Sequence, residues 1–177
     1  IFSLTFSPDS KSFAYVARAG EYHMVIKDGV ESQKYNYASN LTFSPDSKSF
    51  AYHARVNGNA IIIKDGVVQA YDDAHQSTYS PDSKGFAYIA IMNGKYMIVK
   101  DGIVSQSYDG ISDLAYSPDG KNIIYKAKIG NKYILIKDWV ESQKYDYVSN
   151  PIYSSYSKSF AYTAQIGEKT MIIKQNH

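Results

Sequence analysis

One short motif returns at a nearly constant spacing along the whole chain, and this periodicity constrains the fold more than any other feature. The sequence FSPDSK begins at Phe6, and copies begin at Phe43, Tyr79, Tyr116 and, in decayed form, Tyr153, at spacings of 37, 36, 37 and 37 residues. A second marker, Lys-Asp-Gly, first occurs at 27–29 and follows the same period. Periods of 20 to 50 residues indicate a repeat architecture. We therefore divide one domain into five units, approximately 1–37, 38–73, 74–110, 111–147 and 148–177.

The composition is that of a globular protein able to bury a core. Of its 177 residues 44% are hydrophobic, none is cysteine, and the net charge is +2. This composition argues against a disordered chain and against a disulfide scaffold. The small net charge argues against a protein that binds nucleic acid through the phosphate backbone. We therefore expect no nucleic-acid partner. No apolar run approaches the length of a membrane span, so we also expect no membrane span.

Three turn signals in each unit predict four antiparallel strands, which we name A to D. In the first unit the signals are Ser7-Pro8-Asp9-Ser10, Ala19-Gly20 and Asp28-Gly29, and such residues favour tight hairpin turns. Between them we predict strand A at about 4–6, B at 13–17, C at 23–26 and D at 30–35. Strands B and C are continuously apolar, which indicates burial on both faces. A four-stranded sheet covered on both faces by copies of itself is the blade of a β-propeller.

Two columns of strand B have the same residue in every unit, and both predict packing between blades. A tyrosine column is expected to stack between blades with its hydroxyl bonded to a partner. An alanine column two residues later is expected to let blades approach closely. The members are Tyr15, Tyr52, Tyr88, Tyr125 and Tyr162, and Ala17, Ala54, Ala90, Ala127 and Ala164.

The run SPDSK or SPDGK, followed by a short apolar strand such as 12–15, resembles the WD-like repeats of TolB-type β-propeller proteins. The resemblance extends over all five units. It implies an all-β fold, a five-bladed β-propeller of four-stranded antiparallel blades. Propellers of this kind serve as docking platforms, peptidase gates and ligand-binding domains, so the resemblance specifies no activity. It also suggests a bacterial protein exported to the periplasm or the extracellular space.

Two departures from the repeat carry expectations of their own. Trp139 occupies the glycine position of the third turn, and because a non-glycine residue at positive φ is strained, we expect a different turn there. The fifth unit has Ser155-Tyr156 in place of Pro-Asp and stops after strand C. We expect the last blade to lack its outer strand and to expose an apolar edge at 171–174. That edge is either capped by further sequence or paired in a homodimer.

Catalytic signatures are missing from the sequence. The four histidines fall at non-equivalent positions without metal-ligand spacing, there is no cysteine, and no GxSxG motif leads into a helix. We expect no enzymatic activity, no cofactor and no metal ion.

The crossings from strand D to the next strand A are the candidate binding face. They run over 36–41, 72–77, 109–114 and 146–151 and contain five aspartates but no lysine or arginine. A polar position, which we place just before strand A at the channel mouth, recurs as Ser3, Asn40, Gln76, Asp113 and Asn150. The candidate residues are Asn40, Asp72, Asp73, His75, Gln76, Asp109, Asp113, Asp146, Asn150, Tyr37 and Tyr147. Uncompensated carboxylates predict a negative potential there, whereas the structural alternative is that these residues only end strands and bond turn amides.

These features favour a non-catalytic scaffold that presents its crossings and channel mouth to a protein or peptide partner. Two other functions remain open. One is binding of a small ligand, a sugar or a cation, at the acidic channel mouth. The other is an accessory or gating domain of a larger enzyme.

Overall fold

A computed structural model describes residues 1–154 and 159–176, and these residues form twenty β-strands and no helix. The Ser155-Tyr156 departure lies outside the described residues. Strand A is β1 (Phe2–Phe6), β5 (Tyr37–Phe43), β9 (Asp73–Tyr79), β13 (Gly110–Tyr116) and the pair β17 (Tyr147–Val148) and β18 (Ile152–Tyr153). Strand B is β2 (Phe13–Ala19), β6 (Phe50–Val56), β10 (Phe86–Met92), β14 (Ile123–Ile129) and β19 (Ser159–Ile166). Strand C is β3 (Tyr22–Lys27), β7 (Asn59–Lys64), β11 (Lys95–Lys100), β15 (Lys132–Lys137) and β20 (Lys169–Asn176). Strand D is β4 (Val30–Glu31), β8 (Val67–Tyr71), β12 (Ile103–Val104) and β16 (Val140–Glu141).

Each repeat unit forms one antiparallel sheet, as the turn pattern predicts. The first four sheets have their strands in sequence order from A to D, and in the fifth both β17 and β18 pair with β19, which pairs with β20. The predicted four-stranded sheets, with an outer strand missing from the last, are confirmed.

The chain divides into two compact units, each with its own buried core. The first holds Ile1–Thr78 and Ala90–Asn93, and the second holds Tyr79–Ile89 and the chain from Gly94 onward. Strands B and C supply the cores, as their continuous apolar sequences predict. Side chains such as Val16 in the first unit and Ile136 in the second are almost completely buried.

The SPDSK motif is a turn held by its own side chains. In the first unit the Ser10 N–H donates to the Ser7 carbonyl, which closes the turn, and the buried Ser7 hydroxyl donates to Asp9 at 2.7 Å. That hydrogen bond is the main cause of the lowered pKa of Asp9. The motif therefore acts as a local structural element.

The Lys-Asp-Gly turn has two consecutive residues at positive φ, the type I′ geometry that joins strands C and D. Asp28 and Gly29 have φ of 52° and 83°, and the Asp28 carboxylate accepts the Phe13 N–H, which ties the turn to strand B. The expectation of a different turn at Trp139 is wrong. Asp138 and Trp139 keep the same geometry, with φ of 46° and 70°, although Trp139 has a side chain.

Strand D is shorter than predicted in three of the four sheets that contain it. In the first sheet, regular pairing stops at Glu31, the Ser32 hydroxyl accepts the Val25 N–H in place of a backbone carbonyl, and pairing resumes at Tyr35. The second sheet has one residue fewer here, so β8 pairs continuously as far as Tyr71. This difference accounts for the single 36-residue spacing of the repeat.

The tyrosine column is confirmed in part: Tyr52 and Tyr162 pack against the neighbouring sheet, but the buried Tyr125 and Tyr162 hydroxyls have no hydrogen-bond partner among the described residues. The Tyr35 and Tyr52 hydroxyls lie 2.8 Å apart with the rings edge to face, and Tyr145 meets Tyr162 edge to face. Each pair joins strand D of one sheet to strand B of the next. Four of the five alanines are buried, and Ala17 is half-buried.

Strand β20 has one paired edge and one open edge. It pairs along its length with β19, and in the described part of the chain no strand pairs with its other side. Ile172 is 78% exposed, whereas Met171 and Ile173 are half-buried.

Candidate docking face

The recurring polar residue lies inside strand A, not before it. Asn40 and Asp113 have φ of 54° and 59°, and Ser3 and Gln76 share this left-handed conformation. In β1, β5 and β13 the strand gains one residue relative to strand B at this point, which defines a β-bulge. Asn150 lies in the equivalent interruption between β17 and β18. Asn and Asp tolerate positive φ, so part of this polar pattern is a backbone requirement.

The aspartates that open the crossings act as clips to the next sheet. The Asp109 carboxylate accepts the Gly130 N–H at 2.6 Å, and Asp72 and Asp146 accept the N–H groups of Asn93 and Gly167 in the same way. Asn36 does the same for Asn57 without a charge. This role fits the structural alternative, because an oxygen acceptor is needed at this position and a negative charge is not.

The expectation that the crossing carboxylates lack compensating bases is wrong. Strand B supplies Arg55 to Asp73 and Lys126 to Asp113, with nitrogen to oxygen distances of 2.6 and 2.8 Å. Strand C supplies bases to two more carboxylates, in the pairs Lys95 to Asp109 and Lys132 to Asp146. The two lysines of strand C could have been predicted from the sequence, because strand C begins at the same end of the blade as the crossings.

Three of these ion pairs involve carboxylates with a lowered pKa. The Lys95 ammonium is the main cause of the lowered pKa of Asp109, and the Lys132 ammonium lowers the pKa of Asp146. The pKa of Asp113 is also lowered: burial opposes ionisation, but Lys126, Ser112 and Asn150 together outweigh it. The structure thus brings the candidate residues Asp113 and Asn150 together.

A buried histidine that sequence reasoning missed lies beside the bulge of the second sheet. His53 is buried in β6, its Nε2 lies 2.8 Å from the Ser77 hydroxyl, and the Asn40 amide lies 3.5 Å from its Nδ1. Burial lowers the pKa of His53 to about 4, so the imidazole is neutral near pH 7. The candidate His75 is half-buried in β9, and its neighbour Gln76 is exposed.

Two candidate tyrosines remain open to solvent. Tyr37 in β5 and Tyr147 in β17 occupy the same repeat position and are 51% and 52% exposed. Their backbones are held in register opposite Arg55 and Gln165 of strand B. The Tyr37 ring also meets His23 edge to face at 5.6 Å. These two residues present aromatic surface from a fixed backbone.

Within residues 1–154 and 159–176 no group of three His, Cys, Asp or Glu side chains could hold a metal ion. A search of that same part for a helix long and apolar enough to span a membrane finds none.

These features define a β-propeller repeat protein. No protein-family model and no curated protein matches the sequence. The fold is similar to TolB from Acinetobacter baumannii, with a TM-score of 0.50, 20% identity and coverage of 99% of this chain. It is also similar to the β-propeller domain of the Trilobed protease from Pyrococcus furiosus, with a TM-score of 0.54, 11% identity and coverage of 93%. A third similar structure is the dihydro-heme d1 dehydrogenase NirN, with a TM-score of 0.55, 13% identity and coverage of 98% of this chain. The chain spans 51%, 65% and 44% of those three structures, respectively.

Proposed function

We propose that this chain is a non-catalytic docking module that binds a protein or extended peptide on its crossings, at the end where a propeller opens its central channel. The observation that carries this proposal is that each compact unit has a half-exposed tyrosine on its crossings, Tyr37 in the first and Tyr147 in the second. Exposed aromatic side chains contribute disproportionately to protein interfaces because they bury large apolar areas and lose little conformational entropy. Both tyrosines extend from paired strands, so little ordering accompanies binding.

The other residues of the crossings are better suited to docking than to catalysis. The clip aspartates hold the crossings to the neighbouring turns, and their charges are balanced by lysines and arginines. The Ser77 and His53 pair has the contact of a nucleophile and its base, but a pKa of about 4 makes His53 a weak base at neutral pH. The balanced charges also remove the argument for a cation site among the crossings.

Selection of peptides from a random display library tests this proposal. We expect enriched peptides to bind the whole chain, and Tyr37→Ser and Tyr147→Ser to weaken that binding. Val30→Ser is the matched control, because Val30 is an exposed apolar residue at the opposite end of its sheet. Failure to enrich any peptide, or equal binding by all three variants, would contradict the proposal.

The open edge of β20 favours a second interaction, pairing with a strand of another chain. Among residues 1–154 and 159–176 no strand pairs with the outer side of β20, so its backbone groups remain available there, and Ile172 adds exposed apolar surface. We propose that two copies pair along this edge in a homodimer. Light scattering over a concentration series should show a dimer that Ile172→Lys dissociates, while a monomer at every concentration would refute the pairing.

An accessory role in a larger enzyme is the remaining candidate. One similar structure is the propeller domain of a protease, and this chain covers 65% of that domain. The test is to obtain the gene around the coding sequence: a catalytic domain in the same reading frame supports this role, and stop codons at both ends contradict it.

A further inference from the structure

A cavity of about 320 Å³ lies between the third and fourth sheets, away from the crossings and wholly within the second compact unit. Strand D of the third sheet forms one wall and Trp139 and Tyr125 of the fourth form the other. The lining residues are Ile103, Val104, Ser105, Gln106, Tyr108, Tyr125 and Trp139. Aromatic and aliphatic walls with a few polar groups are typical of small-ligand sites.

Trp139 stands out in this cavity because its backbone is unfavourable. Its φ of 70° is a conformation that costs a side-chain-bearing residue free energy, and the same turn position is glycine at 29, 66 and 102. Its ring meets Tyr125 edge to face at 6.4 Å, and the residue stays 40% exposed. The repeat thus tolerates a strained backbone at the turn where an indole lines the cavity.

A carboxylate without a cationic partner is hydrogen-bonded to two residues that line this cavity. One oxygen of Glu141 accepts hydrogen bonds from the Tyr108 hydroxyl at 3.0 Å and from the Gln106 side-chain amide. Both donors are neutral, and the described residues give Glu141 no ion pair, whereas four crossing aspartates each have one. Its second oxygen, Oε2, accepts no hydrogen bond from the described residues and is therefore available to a ligand.

The equivalent seam between the first and second sheets lacks both groups. Gly66 and Val68 stand at the positions of Trp139 and Glu141. The outer tyrosine there, Tyr35, bonds directly to the Tyr52 hydroxyl instead of to a carboxylate. The interface between the third and fourth sheets therefore has an indole and a carboxylate that the interface between the first and second sheets lacks.

We propose that this cavity binds an organic cation, a quaternary or methylated ammonium group, which contacts the Trp139 indole and is attracted by the Glu141 carboxylate behind Gln106 and Tyr108. The face of an indole attracts such cations more strongly than any other side-chain ring, and methylated ammonium is weakly hydrated, so it enters an apolar cavity readily. The carboxylate supplies the opposite charge. A neutral pyranose would stack on the indole and donate hydroxyl groups to Glu141, but it would leave the negative charge of the carboxylate without a counter-charge.

The single tryptophan of the chain makes a direct assay possible, because all tryptophan fluorescence comes from Trp139. We expect choline chloride to change this fluorescence saturably in the millimolar range. Sodium chloride at equal ionic strength and the uncharged choline isostere 3,3-dimethylbutan-1-ol should not. Glu141→Gln should weaken choline binding by about fivefold or more, as expected for loss of a close opposite charge. Glu31→Gln, at the same position of the first sheet, should leave it unchanged.

A second variant separates binding from folding. Trp139→Gly restores the residue of the other turns, so the backbone turn should persist, which an amide NMR spectrum can verify. Shifts of the Gln106 side-chain amide should then no longer respond to choline. Equal binding of the neutral isostere, saturable binding of methyl glucoside in preference to choline, or no response to choline would each overturn the proposal. None of these results bears on peptide binding at Tyr37 and Tyr147.

Discussion

Gly85 provides the sharpest test of how adjacent sheets pack. It follows the SPDSK turn of the third unit, and a Cβ built on it would lie 2.6 Å from the Tyr116 hydroxyl of the fourth sheet. Ordinary contacts of a Cβ begin near 3.4 Å. Overpacking of this kind costs about 1–3 kcal/mol. Replacing glycine by alanine at a φ that alanine can adopt stabilises the folded state by about 0.4–1 kcal/mol, because the unfolded chain loses conformational freedom. We therefore expect Gly85→Ala to lower the free energy of unfolding by about 1–2 kcal/mol.

A double-mutant cycle isolates the contact. The Tyr116 hydroxyl is buried without a hydrogen-bond partner among the described residues, so Tyr116→Phe should be neutral or slightly stabilising. In that background Gly85→Ala should cost less, because the 2.6 Å contact is gone and the ring carbons at 3.1 and 3.2 Å remain. We expect a coupling free energy of about 0.5–1 kcal/mol by urea denaturation. Gly110→Ala is the control, because its Cβ would meet Lys128 at 3.7 Å, an ordinary contact. Additive effects of the two substitutions would refute the reasoning.

Three further predictions concern the strand D serine, the buried histidine and the clips. Ser105→Ala should lower stability by about 1 kcal/mol because the Ile98 N–H loses its acceptor, whereas the exposed neighbour Ser107→Ala should not, as urea denaturation can show. His53 has a folded-state pKa of about 4, below its unfolded value near 6.5, so stability should be complete above pH 6.5 and fall as the pH drops towards 4, by up to about 3 kcal/mol. An unchanged pH dependence in His53→Gln would count against this. Asp109→Asn should retain the clip to Gly130 and leave the melting temperature nearly unchanged, whereas Asp109→Ala should lower it; equal losses would show that the Lys95 ion pair is the main contribution.

The sequence was enough to predict the strands and their order, because turn residues recur at fixed positions and apolar runs fill the space between them. The same pattern could not reveal where strand A bulges. Asn40 and Asp113 look like residues that end a strand, and only the pairing register shows the strand continuing past them. The break in strand D was also hidden, since it depends on the Ser32 hydroxyl replacing a backbone acceptor.

The position of the candidate binding face stays a prediction, whereas its charge could not be predicted from the sequence. The crossings contain aspartates and no bases of their own, yet Arg55 and Lys126 reach them from strand B, and sequence distance conceals such contacts. For Trp139 the local conformation was predictable from the sequence, but its consequence for the turn was not. Its backbone strain could be anticipated, but the prediction that the turn would change failed because the surrounding blade keeps the same φ values as in the glycine turns.

Hydrogen–deuterium exchange of the chain with and without a selected peptide tests the docking proposal most directly. The proposal predicts slower exchange at the bulged strand A residues and crossings next to Tyr37 and Tyr147, with little change in β4, β12 and β16 at the outer edges of the sheets. Protection confined to those outer strands, with the crossings unaffected, would contradict it.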